Sequence, residues 1–175
     1  MWSIPATLTG ATPLLVAANY LEVEVMRVLV EGGAKLTVKL PNGTTPLLMV
    51  AGPQVERLNR PLDHTDKPTD IGDTCCERSE ARAFEAVKFL LDAGVDVNAG
   101  NNAGDTAIHL AATSGFTTII QLLADRGANL SVKNERGQTP LSLVSGGSGQ
   151  RGARNPSAAQ KKAEELLRKL GATND

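Results

Sequence analysis

The chain has very few aromatic residues and almost no cysteine. One Trp, one Tyr and three Phe make up 3% of its 175 residues, so its core must be built from Leu, Val, Ile and Ala. The two cysteines, Cys75 and Cys76, are adjacent and cannot form a framework of bridges, which excludes a fold held together by disulfides. A hydrophobic content of 41% excludes a mostly disordered chain. Such a core suits small helices that stack tightly.

The chain also lacks a large excess of positive or negative charge, and it has no long apolar run. The formal net charge is −1, which gives no overall attraction to nucleic acid or to an acidic membrane surface. No run approaches the roughly 18 apolar residues that a membrane span needs. Residues 1–10 lack the basic start and apolar centre of a secretory signal. We therefore expect a cytoplasmic chain that binds neither nucleic acid nor membrane, unless it is a fragment of an exported protein.

A short pattern recurs along the chain. Gly-x-Thr-(Pro/Ala)-(Leu/Ile) starts at Gly10, Gly43, Gly104 and Gly137, and the first and last of these intervals are 33 residues. A helical stretch that ends in glycine follows each copy, and these glycines are Gly33, Gly94, Gly127 and Gly171. The sequence therefore contains four copies of one unit.

Each unit reads as a helix, a turn, a second helix and an extended finger. A Thr hydroxyl can cap the first helix, and Pro in its first turn has no N–H to leave unpaired. The glycine after the second helix suits a left-handed helix end. Polar links rich in Asn and Gly are typical of a hairpin tip. Since no unit can bury its apolar face alone, the four must stack into a solenoid.

From about residue 10 onward the chain resembles the ankyrin repeat proteins. The third copy, Gly104-Asp105-Thr106-Ala107-Ile108-His109-Leu110-Ala111-Ala112, carries the resemblance best. The resemblance implies an all-α ankyrin-repeat solenoid with short β-hairpin fingers. It also implies that His109 is a structural hydrogen-bonding residue between repeats; at the other copies Leu15, Leu48 and Ser142 stand in its place. The expected units are 10–42, 43–103, 104–136 and 137–175, with 1–9 as an N-terminal finger or the edge of a fragment.

Two insertions break the period. The second copy has 28 extra residues, read as a loop at about 52–78, before a helix from about Ser79 to Ala93; residues 63–80 in this region carry a local charge of −4. The fourth copy has a Gly-rich extension after Ser145. The stretch from Arg151 to Leu170 then carries a local charge of +4, and we interpret it as the polar face that caps the stack. Residues 1–9 offer no such cap, so a fragment of a longer repeat protein is one hypothesis.

Signals for chemistry are weak. Residues 147–152 fit G-x-G-x-x-G, but no strand is expected before them, so we predict no nucleotide site and no cofactor. His64, Cys75 and Cys76 lack a zinc-ligand spacing, and neither they nor His109 form an oriented catalytic set, so no metal site and no catalytic residue are predicted. The alternative to a protein-binding scaffold is a small-molecule-active or hydrolytic protein that uses the 52–78 loop.

We expect a protein-binding scaffold, a monomer, that is not an enzyme. In the resemblance, partner contacts lie on the concave side formed by the finger tips and first helices. The polar residues of this chain at those positions are the predicted contacts: Lys35, Lys39, Asn42, Thr44, Asn101, Asn102, Asp105, Lys133, Glu135, Arg136 and Gln138.

Overall fold

The computed structural model describes residues 11–52, 74–145 and 157–173, with side chains from residue 80 onward in the second range. These ranges hold eight helices: α1 (Pro13–Asn19), α2 (Val23–Glu31), α3 (Pro46–Ala51), α4 (Thr74–Asp92), α5 (Ala107–Ser114), α6 (Thr117–Asp125), α7 (Pro140–Val144) and α8 (Ala158–Lys169). The all-α prediction is confirmed.

The helices form four pairs that stack in chain order. The first helices of the pairs, α1, α3, α5 and α7, each pack on the next, and the second helices, α2, α4, α6 and α8, do the same in a parallel layer. Each unit therefore shares both of its layers with its neighbours, as in a solenoid. We call the first row the inner helices and the second row the outer helices.

The core is aliphatic, as the composition predicts. Leu, Ile, Val, Ala and Met side chains from all four pairs form one buried cluster, and Phe116 is the one buried aromatic residue of the described ranges. Leu15 and Leu48, which replace the family's His, are 0% and 1% exposed. At these two positions the apolar side chains contribute burial instead of hydrogen bonds.

A Thr precedes each inner helix, and Pro is the first residue of α1, α3 and α7. The Oγ1 of Thr45 accepts from the amide of Leu48 at 3.3 Å, and the Oγ1 of Thr139 accepts from the amide of Ser142 at 3.1 Å. Thr12 differs, because its Oγ1 is buried and has no partner in the described chain. The capping prediction is thus confirmed for the second and fourth units.

The glycines that follow the outer helices adopt left-handed backbone conformations. The φ angles of Gly33, Gly94, Gly127 and Gly171 are 87°, 86°, 82° and 87°. Only glycine adopts this region at little cost, so the sequence prediction for these positions is confirmed. Each glycine lets the chain turn from its outer helix into the finger or, after α8, toward the C-terminus.

Two details differ from expectation. The fingers are closed turns, and the only β-bridge of the described residues joins Gly100 to Thr106, because each finger is too short for a ladder. The helix expected from Ser79 begins at Thr74, so the predicted 52–78 loop extends too far. No Pro or Gly follows Gly72 until Gly94, and nothing in the sequence stops the helix from starting early. The rest of that loop, the Gly-rich extension and residues 1–9 lie outside the described residues.

Candidate protein-binding surface

Three fingers, at residues 34–44, 95–105 and 128–138, are closed by the same backbone bonds. In the third, the amide of Asn134 donates to the carbonyl of Gln138 at 3.0 Å, and the amide of Gly137 donates to the carbonyl of Asn134 at 2.8 Å. The side chain of Asn134 completes the tip, since its Oδ1 accepts from the amides of Arg136 and Gln138 at 3.0 and 2.9 Å. Asn101 does the same in the second finger. These asparagines thus hold the tips in shape.

The tips are also bonded to one another. The amide of Asn102 donates to the carbonyl of Asn42 at 3.1 Å, and its Nδ2 donates to the carbonyl of Pro41 at 3.0 Å. One unit further on, the amide of Glu135 donates to the carbonyl of Ala103 at 3.0 Å. The three tips therefore form a row with a fixed register.

Glycine permits this close approach. A Cβ on Gly104 would lie 2.9 Å from the amide nitrogen of Glu135, and one on Gly43 would lie 2.7 Å from that of Asn102. Gly137 has the same left-handed conformation, but no described atom lies within 4 Å of its Cβ position. The first two tip glycines thus serve both the turn and the contact between fingers.

A second row of bonds joins the bases of the fingers. The Oδ1 of Asn98 accepts from the amide of Asn129 at 2.9 Å, and the Oγ of Ser131 accepts from the amide of Thr173 at 3.1 Å. Asn98 and Ser131 each lie four residues after the glycine that ends an outer helix. Neither residue is among the predicted contacts, although their equal distance from Gly94 and Gly127 was a usable signal.

His109 joins an inner helix to the third finger. It is fully buried, its Nδ1 lies 3.2 Å from the amide of Thr106 and 3.0 Å from the Oγ1 of Thr106, and its Nε2 lies 3.0 Å from the carbonyl oxygen of Gln138. Because the amide of Thr106 can only donate, Nδ1 accepts and Nε2 carries the proton. Burial lowers the pKa of His109 below its ordinary value, against the opposing effect of the Gln138 carbonyl. The structural role implied by the resemblance fits this geometry.

The predicted contact residues fall into three groups. Asn42, Asn101, Asn102 and Asp105 use their side chains inside or between the fingers, where Asp105 accepts from the Nδ2 of Asn134 at 2.8 Å. The second group has exposed side chains with no hydrogen bond or ion pair among the described residues: Lys35, Lys39, Lys133, Glu135 and Arg136. Thr44 and Gln138 are half-buried. We call the second group the free finger residues.

The free finger residues lie on the first and third fingers. Lys39 and Lys133 occupy equivalent positions, each one residue before the tip, and Gly100 stands between them in the second finger. The second finger therefore carries no side chain at this position. Four of the five free residues are cationic and one is anionic.

The described residues outside the fingers give weaker evidence for a functional site. A shallow depression of about 470 Å³ lies on the outer layer and is lined by Phe84, Thr117, Thr118, Gln121, Leu122, Asp125 and Leu166. Within the described ranges, no three His, Cys, Asp or Glu residues are grouped to hold a metal ion. In the same ranges no helix is long and apolar enough to cross a membrane. Cys75 and Cys76 lie in the first turn of α4, and His64 lies outside the described residues.

Comparison with known proteins agrees with the repeat pattern. A family model described as ankyrin repeats in three copies matches residues 75–150. The chain is 29% identical to potassium channel AKT2/3 of Arabidopsis thaliana over 75% of its length, and 28% identical to neurogenic locus notch homolog protein 1 of Xenopus tropicalis over 78%. It is 39% identical to ankyrin repeat and KH domain-containing protein mask of Drosophila melanogaster over 37%.

These relatives are much longer than the chain, which spans 17%, 6% and 2% of them respectively. The stacked helix pairs, the glycine-closed outer helices and the matched family model all agree on one architecture. The chain contains ankyrin repeats.

Proposed function

We propose that the protein is a binding scaffold, not an enzyme, and that it holds another protein against its concave side through the free finger residues. Ankyrin repeats are generally protein-interaction modules. The observation that carries the proposal is the division of the finger side chains. Asparagines supply the bonds that fix the fingers, while Lys35, Lys39, Lys133, Glu135 and Arg136 stay exposed on that fixed row.

A fixed row lowers the cost of binding. Side chains on a backbone already held by hydrogen bonds lose less conformational entropy when a partner arrives than side chains on a mobile loop. The tip bonds of Asn101, Asn102 and Asn134 keep the three fingers in one register. A partner therefore meets a preformed surface.

The charge of the free residues specifies the partner's surface. Lys35, Lys39, Lys133 and Arg136 are cationic and only Glu135 is anionic. We expect a partner whose contact surface is acidic, and binding that weakens as the salt concentration rises, because exposed charges are screened beyond about 10 Å at 0.1 M salt.

The test compares three forms of the protein as bait in extracts of its natural source. The first is unchanged, the second carries Lys39→Glu, Lys133→Glu and Arg136→Glu, and the third carries Lys88→Glu, Lys161→Glu and Lys162→Glu. The third set lies exposed on outer helices, and both variants change the net charge equally. We expect a protein that the first and third baits retain and the second loses. All three baits should melt at about the same temperature.

Two results would refute the proposal. If the second and third baits retain the same proteins as the first, the free finger residues do not make the contact. If the second bait loses its partner and also melts at a lower temperature, these residues belong to the scaffold, and the division of the fingers is wrong.

A further inference from the structure

The inner helices carry apolar side chains at one repeated position. Six residues after the first glycine of each unit stand Val16, Met49, Leu110 and Leu143. Met49 is only 4% exposed, but solvent reaches the other three, which are half-buried. We call Val16, Leu110 and Leu143 the inner apolar row.

Leu110 shows how two units meet along this row. A Cβ on Gly52, the residue that follows α3, would lie 3.6 Å from the Cδ1 of Leu110. Gly52 is itself buried, so the leucine side chain rests on the backbone at the end of the preceding inner helix. At this point the apolar surface continues across the junction between the second and third units.

The inner helices are also free of charged residues. The sequences of α1, α3, α5 and α7 contain no Asp, Glu, Lys or Arg, whereas each of the four outer helices contains at least one. A helix face that only meets water usually carries charged or polar side chains. The partly exposed apolar row therefore stands in an uncharged surface.

Positive charge borders this uncharged surface. Each finger leads into an inner helix, so Lys39 stands before α3, and Lys133 and Arg136 stand before α7. Four of the five free finger residues are cationic. An exposed apolar surface with a polar rim is typical of an interaction site. The partner's contact region must then combine apolar side chains with carboxylates.

The backbone bonds between the finger tips disfavour an added strand. The amide of Asn102 donates to the carbonyl of Asn42, and the amide of Glu135 donates to the carbonyl of Ala103. These tip groups are therefore not available to pair with an extended partner segment. An α-helix needs no such pairing, because its backbone hydrogen bonds are internal. The surface favours a helical segment that offers side chains only.

The spacing of the units suits a helix that lies across them. Packed helices are about 8–10 Å apart, and an α-helix rises about 1.5 Å per residue, so seven residues cover about one unit. Seven residues are also close to two turns, which keeps such side chains on one face. Lys39 and Lys133 are two units apart, a distance that about 11–13 residues of helix would span.

We infer that the concave side binds an amphipathic acidic helix of the partner protein. Apolar side chains about seven residues apart lie against the inner apolar row, and carboxylates on the adjoining face meet Lys39, Lys133 and Arg136. The inference rests on the proposed function and adds the kind of segment that the partner presents.

The test first selects peptides that bind the natural chain. A phage-displayed library of random peptides of about 20 residues, long enough for a helix of about 30 Å, is selected on the immobilised protein. We expect the enriched peptides to be acidic and to carry apolar residues at positions i, i+3 or i+4 and i+7. The circular dichroism of the peptide and protein together should show more helix than the sum of the two alone.

The most enriched peptide is then measured against two matched pairs of substitutions by fluorescence anisotropy. Val16→Thr with Leu143→Gln makes the inner apolar row polar, and Val25→Thr with Val28→Gln makes a similar change on α2, where the valines are 49% and 66% exposed. We expect the first pair to weaken binding about tenfold or more and the second to change it less than about twofold. If thermal unfolding shows that the first pair is not folded, Val16→Thr alone replaces it, with a loss of about threefold.

The charged part of the surface is measured with the same peptide. The variant with Lys39→Glu, Lys133→Glu and Arg136→Glu should also bind about tenfold more weakly or worse. The variant with Lys88→Glu, Lys161→Glu and Lys162→Glu should bind almost as the natural chain does.

Four results would overturn the inference. They are the absence of enriched peptides, enriched peptides that lack acidic residues, apolar residues at alternate positions as in a strand, and equal losses in the two members of either matched comparison. The proposed function is judged separately by the baits in the natural extract. If the finger substitutions remove a protein there and Val16→Thr with Leu143→Gln does not, the proposed function stands and the helix inference fails.

Discussion

The Nε2 of His109 donates to the carbonyl oxygen of Gln138 at 3.0 Å, and this bond ties an inner helix to the finger that precedes the next unit. The same ring accepts at Nδ1 from the amide of Thr106 at 3.2 Å. One neutral tautomer satisfies both contacts. A protonated ring would point an N–H at the Thr106 amide, so the interface between the third and fourth units depends on the charge of this side chain.

Acid should therefore weaken the fold. Because burial holds the folded-state pKa of His109 below its ordinary value, the unfolded chain takes up the proton first as the pH falls. The stability is full above the ordinary pKa and is lost as the pH drops from there toward the lowered value. Urea unfolding between about pH 7.5 and about pH 5.5 measures the loss.

The control is His109→Gln, since glutamine has no proton to gain in this range. The variant should be less stable at neutral pH by about 1–3 kcal/mol, because it loses part of the bonding to Thr106 and Gln138. Its remaining pH dependence should be smaller than that of the natural chain. An identical pH dependence in both proteins would show that groups other than His109 account for it.

The glycines at the finger tips give a matched pair. Gly104 and Gly137 have φ angles of 74° and 71°, so alanine meets the same backbone cost at both, about 1–2 kcal/mol. At Gly104 the new Cβ would also lie 2.9 Å from the Glu135 amide nitrogen, whereas the space beside Gly137 is open among the described residues. We expect Gly104→Ala to lower the urea midpoint clearly more than Gly137→Ala.

Similar midpoints for the two variants would mean that the second and third fingers separate easily. In that case Gly104 would serve only the turn. The row of tips would then be less rigid than the binding proposal requires, and the free finger residues would lose their preformed arrangement.

Most of the scaffold follows from the sequence, and the finger details do not. Gly33 and Gly94 were assignable because a left-handed helix end requires a particular residue type. The bond of Asn98 to the amide of Asn129 spans 31 residues and depends on how two units meet. In sequence, Asn101 looks as available to a partner as Lys39 does, because nothing local shows which polar side chains turn back onto their own backbone.

A substitution at Asn134 tests the distinction between side chains that hold the fingers in shape and side chains that are available to a partner. Its side chain accepts from two amides and donates to Asp105, so Asn134→Ala leaves backbone amides without their acceptor and should cost about 1–3 kcal/mol of stability. The neighbouring change Lys133→Ala should alter stability by less than about 0.5 kcal/mol. Thermal or urea unfolding of the two variants measures the contrast. Equal destabilisation would place Lys133 in the scaffold and remove it from the free finger residues.

Leu21 occupies a backbone conformation that is unusual for its type. It stands at the turn between α1 and α2 with a φ of 55°, where the third unit has Gly115 with a φ of 76°. Its side chain is only 4% exposed, so burial offsets the backbone cost. A buried Leu contributes about 2–5 kcal/mol relative to Ala, against about 1–2 kcal/mol for a left-handed conformation. The apolar contact outweighs the strain.

Two substitutions at Leu21 separate the stabilisation by burial from the cost of the left-handed backbone conformation. Leu21→Ala removes the burial and keeps the strain, whereas Leu21→Gly removes both. We therefore expect both variants to unfold at lower urea concentration than the natural chain, and Leu21→Gly to be the more stable of the two by about 1 kcal/mol. This order reverses the usual preference for Ala over Gly. If Leu21→Ala is instead the more stable variant, the turn relaxes to a negative φ once the leucine is gone, and burial of Leu21 is what holds the backbone in its left-handed conformation.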